Sequence, residues 1–145
     1  MTATNHTLTG MLIMAAVPAP IMLIPAFLSH FVLDSLPHFG ASNHTHKSFI
    51  AILLTDMVLA LMLLLFIVLV RPEHWPLYVA GGILGASPDL MWLGPWLNEL
   101  RSKPKKAFGK VRRFHSWIQW GERSWGMLIE LVWLGLGLYI LAQIV

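Results

Sequence analysis

From Ser48 to Val70 the chain carries a single ionisable residue, Asp56, in a run otherwise built almost wholly of Leu, Ile, Val, Met, Phe and Ala. A stretch of that length and polarity matches the roughly twenty residues a helix needs to cross the hydrocarbon of a bilayer. Leu77–Leu97 and Trp125–Val145 repeat the pattern. The whole chain of 145 residues is 57% hydrophobic and 12% charged, against about one-quarter charged in a soluble domain. One core of this size cannot hide so much apolar surface from water. The expected fold is all-α: a polytopic helical membrane protein with four to five membrane helices, residues 1–145 forming one integral membrane domain.

The earlier apolar region, Leu8–Leu36, is longer than one ordinary span and holds Pro18, Pro20 and Pro25. Proline removes a helix donor and clashes with the preceding turn. The region is therefore read as a short helix near 7–16, which only dips into the bilayer, and a longer one near 21–36 kinked at Pro25. The remaining spans are set at about 48–70, 77–97 and 125–145. Trp75, Trp92, Trp96, Trp117, Trp120 and Trp125 fall mostly near span ends, as interfacial aromatics do. Lys110–Glu122, with Val111, Phe114 and Ile118, reads as an interfacial helix leading into the last span. The start of the chain lacks the basic region of a signal peptide and is read as part of the mature protein. With no cysteine, disulfides and thiolate metal sites are excluded.

The net charge of +3 conceals an asymmetry: Arg101, Lys103, Lys105, Lys106, Lys110, Arg112 and Arg113 follow one another with no acid between them. Lying between two apolar spans, this run is better explained by membrane orientation than by nucleic acid. Basic loops stay in the cytoplasm, and the same cations suit anionic phospholipid headgroups. Taking 98–113 as a cytoplasmic loop places the Pro37–Lys47 loop inside and the C-terminus outside. The N-terminus is cytoplasmic if the first two pieces form a hairpin and external if they are one bent helix. The bilayer is the expected partner, nucleic acid is not, and a homo-oligomer is compatible with so small a chain.

Ionisable residues within a membrane are costly and mark function by default. Here they are His30, Asp34, Asp56, Asp89 and Glu130. At 1.5 Å per residue, Asp56, His30 and Asp89 each lie roughly 12 Å from the cytoplasmic end of their spans, and Glu130 roughly 8 Å. Four segments thus bring acids or imidazoles to comparable depth, which predicts a shared site. In Ser29-His30-Phe31-Val32-Leu33-Asp34-Ser35-Leu36-Pro37-His38, His30 and Asp34 are four apart and address one point on a helix face. His38 follows, although Pro37 predicts that the helix is ending. Such nitrogen and oxygen donors suit Zn²⁺ first, with Mn²⁺ or Fe²⁺ as alternatives. The plain alternative is an Asp34–His30 pair with no ion. Gly81, Gly85 and Ala86 permit close helix packing. Pro88 then frees backbone groups beside Asp89, which reads as a ligand, a base or a cap for the next helix. His115 reads as a residue over the mouth of the site. His44 and His46 flank Thr45 in a loop and read as surface residues.

These residues resemble the family of membrane-bound, metal-dependent hydrolases, the YdjM-like group of small bacterial inner-membrane proteins. The likeness runs over most of the chain: His6-Thr-Leu-Thr-Gly10, Leu28-Ser-His-Phe-Val-Leu-Asp-Ser-Leu-Pro-His38, the glycine-rich run ending in Pro88-Asp89, and Phe114-His115 through Glu130. It implies a helical protein of the bacterial inner membrane with a His/Asp metal site. The chain departs from the family after Pro88-Asp89, where Leu90-Met91-Trp92 stands in place of a further Asp or His. The HxxxD spacing is also similar to zinc-dependent phospholipases C, whose remaining ligands have no match here.

The leading expectation is a hydrolase acting on a lipid or other membrane-associated substrate. His30, Asp34 and Asp89, with His38 or His6, hold a divalent metal, and Glu130, Asp56 or His115 handles the proton. The alternatives are a small ion or proton carrier with a carboxylate relay, and a non-catalytic membrane protein whose polar groups join helices.

Overall fold

The computed structural model describes residues 1–40, 47–102, 104 and 107–145. Helix α1 covers Ala3–Ala16, and a 3-10 turn at Pro20–Met22 leads into α2, Leu23–Asp34. A two-residue strand β1 (His38–Phe39) precedes α3 (Lys47–Val70) and α4 (Trp75–Ala86). The chain tightens into a 3-10 segment at Ser87–Trp92 and continues as α5, Leu93–Leu100. Helix α6 (Lys110–Ile118), a 3-10 turn at Gln119–Gly121, strand β2 (Glu122–Arg123) and α7 (Gly126–Ile144) complete it. His44, His46, Lys103, Lys105 and Lys106, to which the sequence assigned surface and orienting roles, lie outside the described residues.

A helix with a largely polar buried first half is in the middle. Helix α1 buries Thr4, Asn5, His6, Thr7, Leu8, Gly10, Met11 and Met14 and packs against α2, α3, α4 and α7. The most apolar helices are outside. Among the 24 residues of α3 only Asp56, Ala60 and Ile67 are buried, while Leu54, Val58, Leu61, Met62, Leu65 and Leu69 are exposed. Helix α7 likewise buries Gly126, Glu130, Gly137 and Leu141 and exposes Leu128, Leu131, Val132 and Leu136. This inverts the arrangement water imposes, in which apolar side chains leave the surface.

Both α3 and α7 are long and apolar enough to cross a membrane. The expected four to five spans are met at that length by these two. At 14 residues for α1 and 12 each for α2 and α4, the others fall short of the roughly twenty a crossing helix needs. The stretch expected as a continuous span at 77–97 is divided by the 3-10 segment, which has Pro88 at its start. Pro25 falls within the first turn of α2, where a missing N–H breaks no intrahelical bond. The chain therefore turns before α2, at Val17–Met22, instead of kinking within it. Short α1 is enclosed by the bundle.

Glycine makes that enclosure possible. A Cβ at Gly10 would collide with the Gly81 carbonyl, and one at Gly81 would stand 2.6 Å from the Gly10 oxygen. One at Gly85 would stand 2.5 Å from the His6 carbonyl oxygen. Backbone-to-backbone approach of α1 and α4 is the packing that small residues permit, and it carries His6 to the level of Gly85. At the same end of the bundle β1 and β2 pair in parallel, His38 opposite Glu122 and Phe39 opposite Arg123. This ties the exit of α2 to the approach of α7.

Candidate metal centre

Two groups of buried polar residues meet at the N-terminal end of α1. The first is a capping arrangement. The leading amides of a helix have no partners within it, and Thr2 supplies no side-chain cap. Asp56 of α3 does instead: Ala3 N donates to Oδ2 at 2.7 Å and Thr4 N to Oδ1 at 2.9 Å. The Thr4 hydroxyl lies 2.6 Å from the same Oδ1. From α7, Glu130 accepts Thr2 N through Oε2 and Phe39 N through Oε1, both at 2.8 Å. Anions are favoured here because the helix dipole is positive at its N-terminus. Asp56 and Glu130, read in sequence as proton handlers, are thus occupied in fastening α1 to the two most apolar helices.

The second group centres on Asp34, the last residue of α2, whose side chain is completely buried. Its Oδ1 faces His6 Nε2 at 3.0 Å and the Met1 amine. Its Oδ2 faces His115 Nε2 at 2.8 Å, His30 Nε2 at 3.2 Å and the Gln119 amide at 3.3 Å. The His30–Asp34 contact is the pair four residues apart that helix geometry predicts. Asp89 closes the open side: Oδ1 lies 3.6 Å from His30 Nε2 and Oδ2 lies 4.0 Å from His6 Nε2. At 31% exposure its side chain is the member of the cluster in contact with the exterior, whereas His6, His30 and His115 are fully buried. One donor atom each from His30, Asp34, Asp89 and His115 falls within 4.8 Å of the others.

The hydrogen bonds distinguish the imidazoles. His30 Nδ1 lies 2.9 Å from the Gly85 carbonyl; a carbonyl only accepts, so Nδ1 carries the hydrogen and Nε2 presents a lone pair to the cluster. Fixing the far nitrogen this way is the usual means of orienting a metal-binding imidazole. His115 is set the opposite way. The Trp92 indole N–H donates to its Nδ1 at 3.0 Å, so in the neutral ring the hydrogen sits on Nε2, aimed at Asp34 Oδ2 and at His30 Nε2, 3.0 Å away. His6 stacks on His30 with centroids 3.9 Å apart and rings inclined by 23°. Its buried Nδ1 has no hydrogen-bond partner among the described residues. Two carboxylates, an oriented imidazole lone pair and an under-satisfied neighbouring imidazole are a fitting donor set for a divalent ion of the Zn²⁺, Mn²⁺ or Fe²⁺ type.

The structure brings together His6, His30, Asp34, Asp89 and His115 of the residues singled out in sequence. It does not bring His38. Helix α2 stops at Asp34, and His38 lies in β1, so the four-residue spacing from Asp34 no longer describes a shared face. His38 is buried with Nδ1 against the Leu36 carbonyl at 2.8 Å, and its Nε2 is 3.9 Å from Glu122. The Met1 amine, Trp92 and Gln119 also contribute and escaped the sequence reading. The local signal for each side chain existed: Trp92 is three residues beyond Asp89 in a 3-10 segment, where such positions eclipse, and Gln119 is four beyond His115.

Comparison with protein-family models, with curated proteins and with solved structures finds no match for this chain.

Proposed function

We propose that this protein is a small integral membrane protein, of the bacterial inner membrane, that hydrolyses a lipid or other membrane-associated substrate at a metal centre, as its resemblance to the YdjM-like hydrolases implies. The observation that carries this reading is the convergence of the His30, Asp34 and Asp89 donor atoms with His115 Nε2 beside them, all within 4.8 Å. Placement in lipid is supported by the polar interior around α1 and the exposed apolar flanks of α3 and α7. Irregular backbone such as Ser87–Trp92 is tolerated in a bilayer only where protein or a cavity covers it.

His30, Asp34 and Asp89, with His6 beside them, are the residues that would hold the ion, Zn²⁺ being the first choice. When bound, a divalent metal supplies an activated water at neutral pH and polarises the scissile group. The chain's own part is to place a proton. His115, with its hydrogen on Nε2, points that donor into the cluster and is the general acid or base of the site; Trp92 holds its ring. Asp89, on the exposed side, marks where substrate approaches. The cations of α6 favour an anionic phospholipid.

A second reading, in which the cluster only joins helices, draws on Asp34 being surrounded by donors. Elemental analysis of detergent-purified protein separates the two. Stoichiometric transition metal is expected, lost in His30→Ala and in Asp34→Ala. Protein that carries none, or variants that keep all of it, would leave the joining role.

A further inference from the structure

Helix α6 carries cations that favour an anionic phospholipid, and its exposed surface holds more than charge. It reaches the bundle by one edge: His115 and Ile118 are buried, and Gln119 follows in the next turn to meet Asp34. Lys110, Arg113, Phe114 and Trp117 occupy positions i, i+3, i+4 and i+7, which form one stripe along a helix. All four are exposed, Phe114 by 50% and Trp117 by 72%. Arg112 adds a third cation, and α6 contains no acid. Two cations followed by two aromatics on one exposed stripe suit a lipid headgroup layer, with rings at the acyl boundary and charges among phosphates.

Position points the same way. Only the 3-10 turn, β2 and a short connection separate α6 from α7, a helix long enough to cross a membrane. Trp120, at 66% exposure, and Trp125, at 53%, line that connection, as aromatics do where a span meets headgroups. A helix immediately outside a crossing helix lies at the level of the phosphates.

We propose that the Lys110–Arg113–Phe114–Trp117 stripe docks on anionic phospholipid headgroups, and that this docking holds His115 in the buried cluster. The proposal rests on the membrane placement advanced above and adds to it a docking surface and a control. His115 is next to Phe114 in the chain, and its Nε2 contacts with Asp34 and His30 and its Nδ1 bond from Trp92 tie α6 to the rest of the centre. A seated α6 therefore completes the centre, and a lifted α6 withdraws its proton donor. Hydrolytic competence becomes dependent on lipid charge at the face where α6 lies.

The test reconstitutes the full chain in nanodiscs of neutral phosphatidylcholine, and in discs of phosphatidylcholine mixed with phosphatidylglycerol. Two signals are followed by mass spectrometry: amide hydrogen exchange of the Lys110–Ile118 peptide, and exchange of the His115 ring C2 hydrogen. At about fivefold per surface cation, Lys110 and Arg113 together shift the docked-to-lifted ratio by roughly thirtyfold. Both signals are expected to slow clearly in the anionic discs. Lys110→Gln combined with Arg113→Gln is expected to erase the difference while α3 and α7 keep their protection. Equal exchange of α6 in the two wild-type preparations overturns the proposal, whether or not the double variant folds. So does protection of α6 by soluble polyglutamate in neutral discs without protection by phosphatidylglycerol, which assigns the stripe to an acidic protein. Metal content measured on the same preparations keeps the readings apart. Docking requires no ion, so metal-free protein with a lipid-dependent exchange difference refutes the metal centre alone. Metal-loaded protein with no such difference refutes the docking alone.

Discussion

Replacing Asp56 tests whether the carboxylates outside the cluster are fasteners or proton carriers. The Asp56 carboxylate accepts Ala3 N at 2.7 Å, Thr4 N at 2.9 Å and is 2.6 Å from the Thr4 hydroxyl. Asp56→Ala leaves two backbone donors and a hydroxyl without this partner in an enclosed place. Each orphaned buried group costs about 1–3 kcal/mol, and loss of an anion from a helix N-terminus adds about 0.3–1 kcal/mol. The hydroxyl can turn to the Asp56 backbone carbonyl, which it already faces at 3.0 Å. The two amides then dominate, and the expected loss is about 2–7 kcal/mol. Asp56→Asn keeps one acceptor oxygen and turns an N–H₂ toward the other amide, so about 1–3 kcal/mol is expected. Equilibrium unfolding in mixed detergent micelles with increasing sodium dodecyl sulfate measures both. Among the described residues Asp56 forms no hydrogen bond or ion pair with His30, Asp34, Asp89 or His115, so under the proposed function folded Asp56→Asn is expected to leave metal content and hydrolytic activity unchanged. Unchanged stability, or lost turnover at unchanged stability and metal content, would refute the fastening argument.

Gly81→Ala drives a Cβ to 2.6 Å from the Gly10 carbonyl oxygen; forced separation of α1 and α4 should cost about 1–3 kcal/mol, read in the same unfolding assay. Trp92→Phe keeps the ring but deletes the N–H that fixes His115 Nδ1. Turnover should fall about tenfold or more while metal content holds, and parallel kinetics with elemental analysis check the split. Leu61, 62% exposed on α3, reports the surroundings of the bundle. Leu61→Lys should impair insertion by about 2.5–3.5 kcal/mol if lipid lies there, measured by glycosylation-based insertion of α3, whereas a water-exposed Leu61 would tolerate the change.

Much of the fold is legible in the order of the residues, and particular positions show why. An unbroken apolar run is a property of consecutive positions, so α3 and α7 follow from composition along the chain. The break at Ser87–Trp92 follows from Pro88, whose ring and missing donor act within one turn. The His30–Asp34 pair follows from the helix repeat, which places residues four apart on one face whatever surrounds them. The same rule misleads at His38, because helix α2 ends at Asp34 and the repeat no longer applies. Composition predicts one continuous helix where apolar residues continue through a change of helix type, as they do across 77–97.

What a single sequence determined here is therefore local: which segments are helices, which of them are apolar enough for lipid, and which neighbouring side chains share a face. Tertiary structure decided the rest. It placed polar α1 at the centre, set Asp56 and Glu130 on its unpaired amides, and brought His6 and His115 from distant segments to Asp34. The physical reason is one of range. Hydrogen bonds within a helix fix geometry over about four residues. The meeting of His6 with Asp34 depends on how closely Gly10 and Gly81 let two backbones approach, and no periodicity along one strand of sequence records that distance.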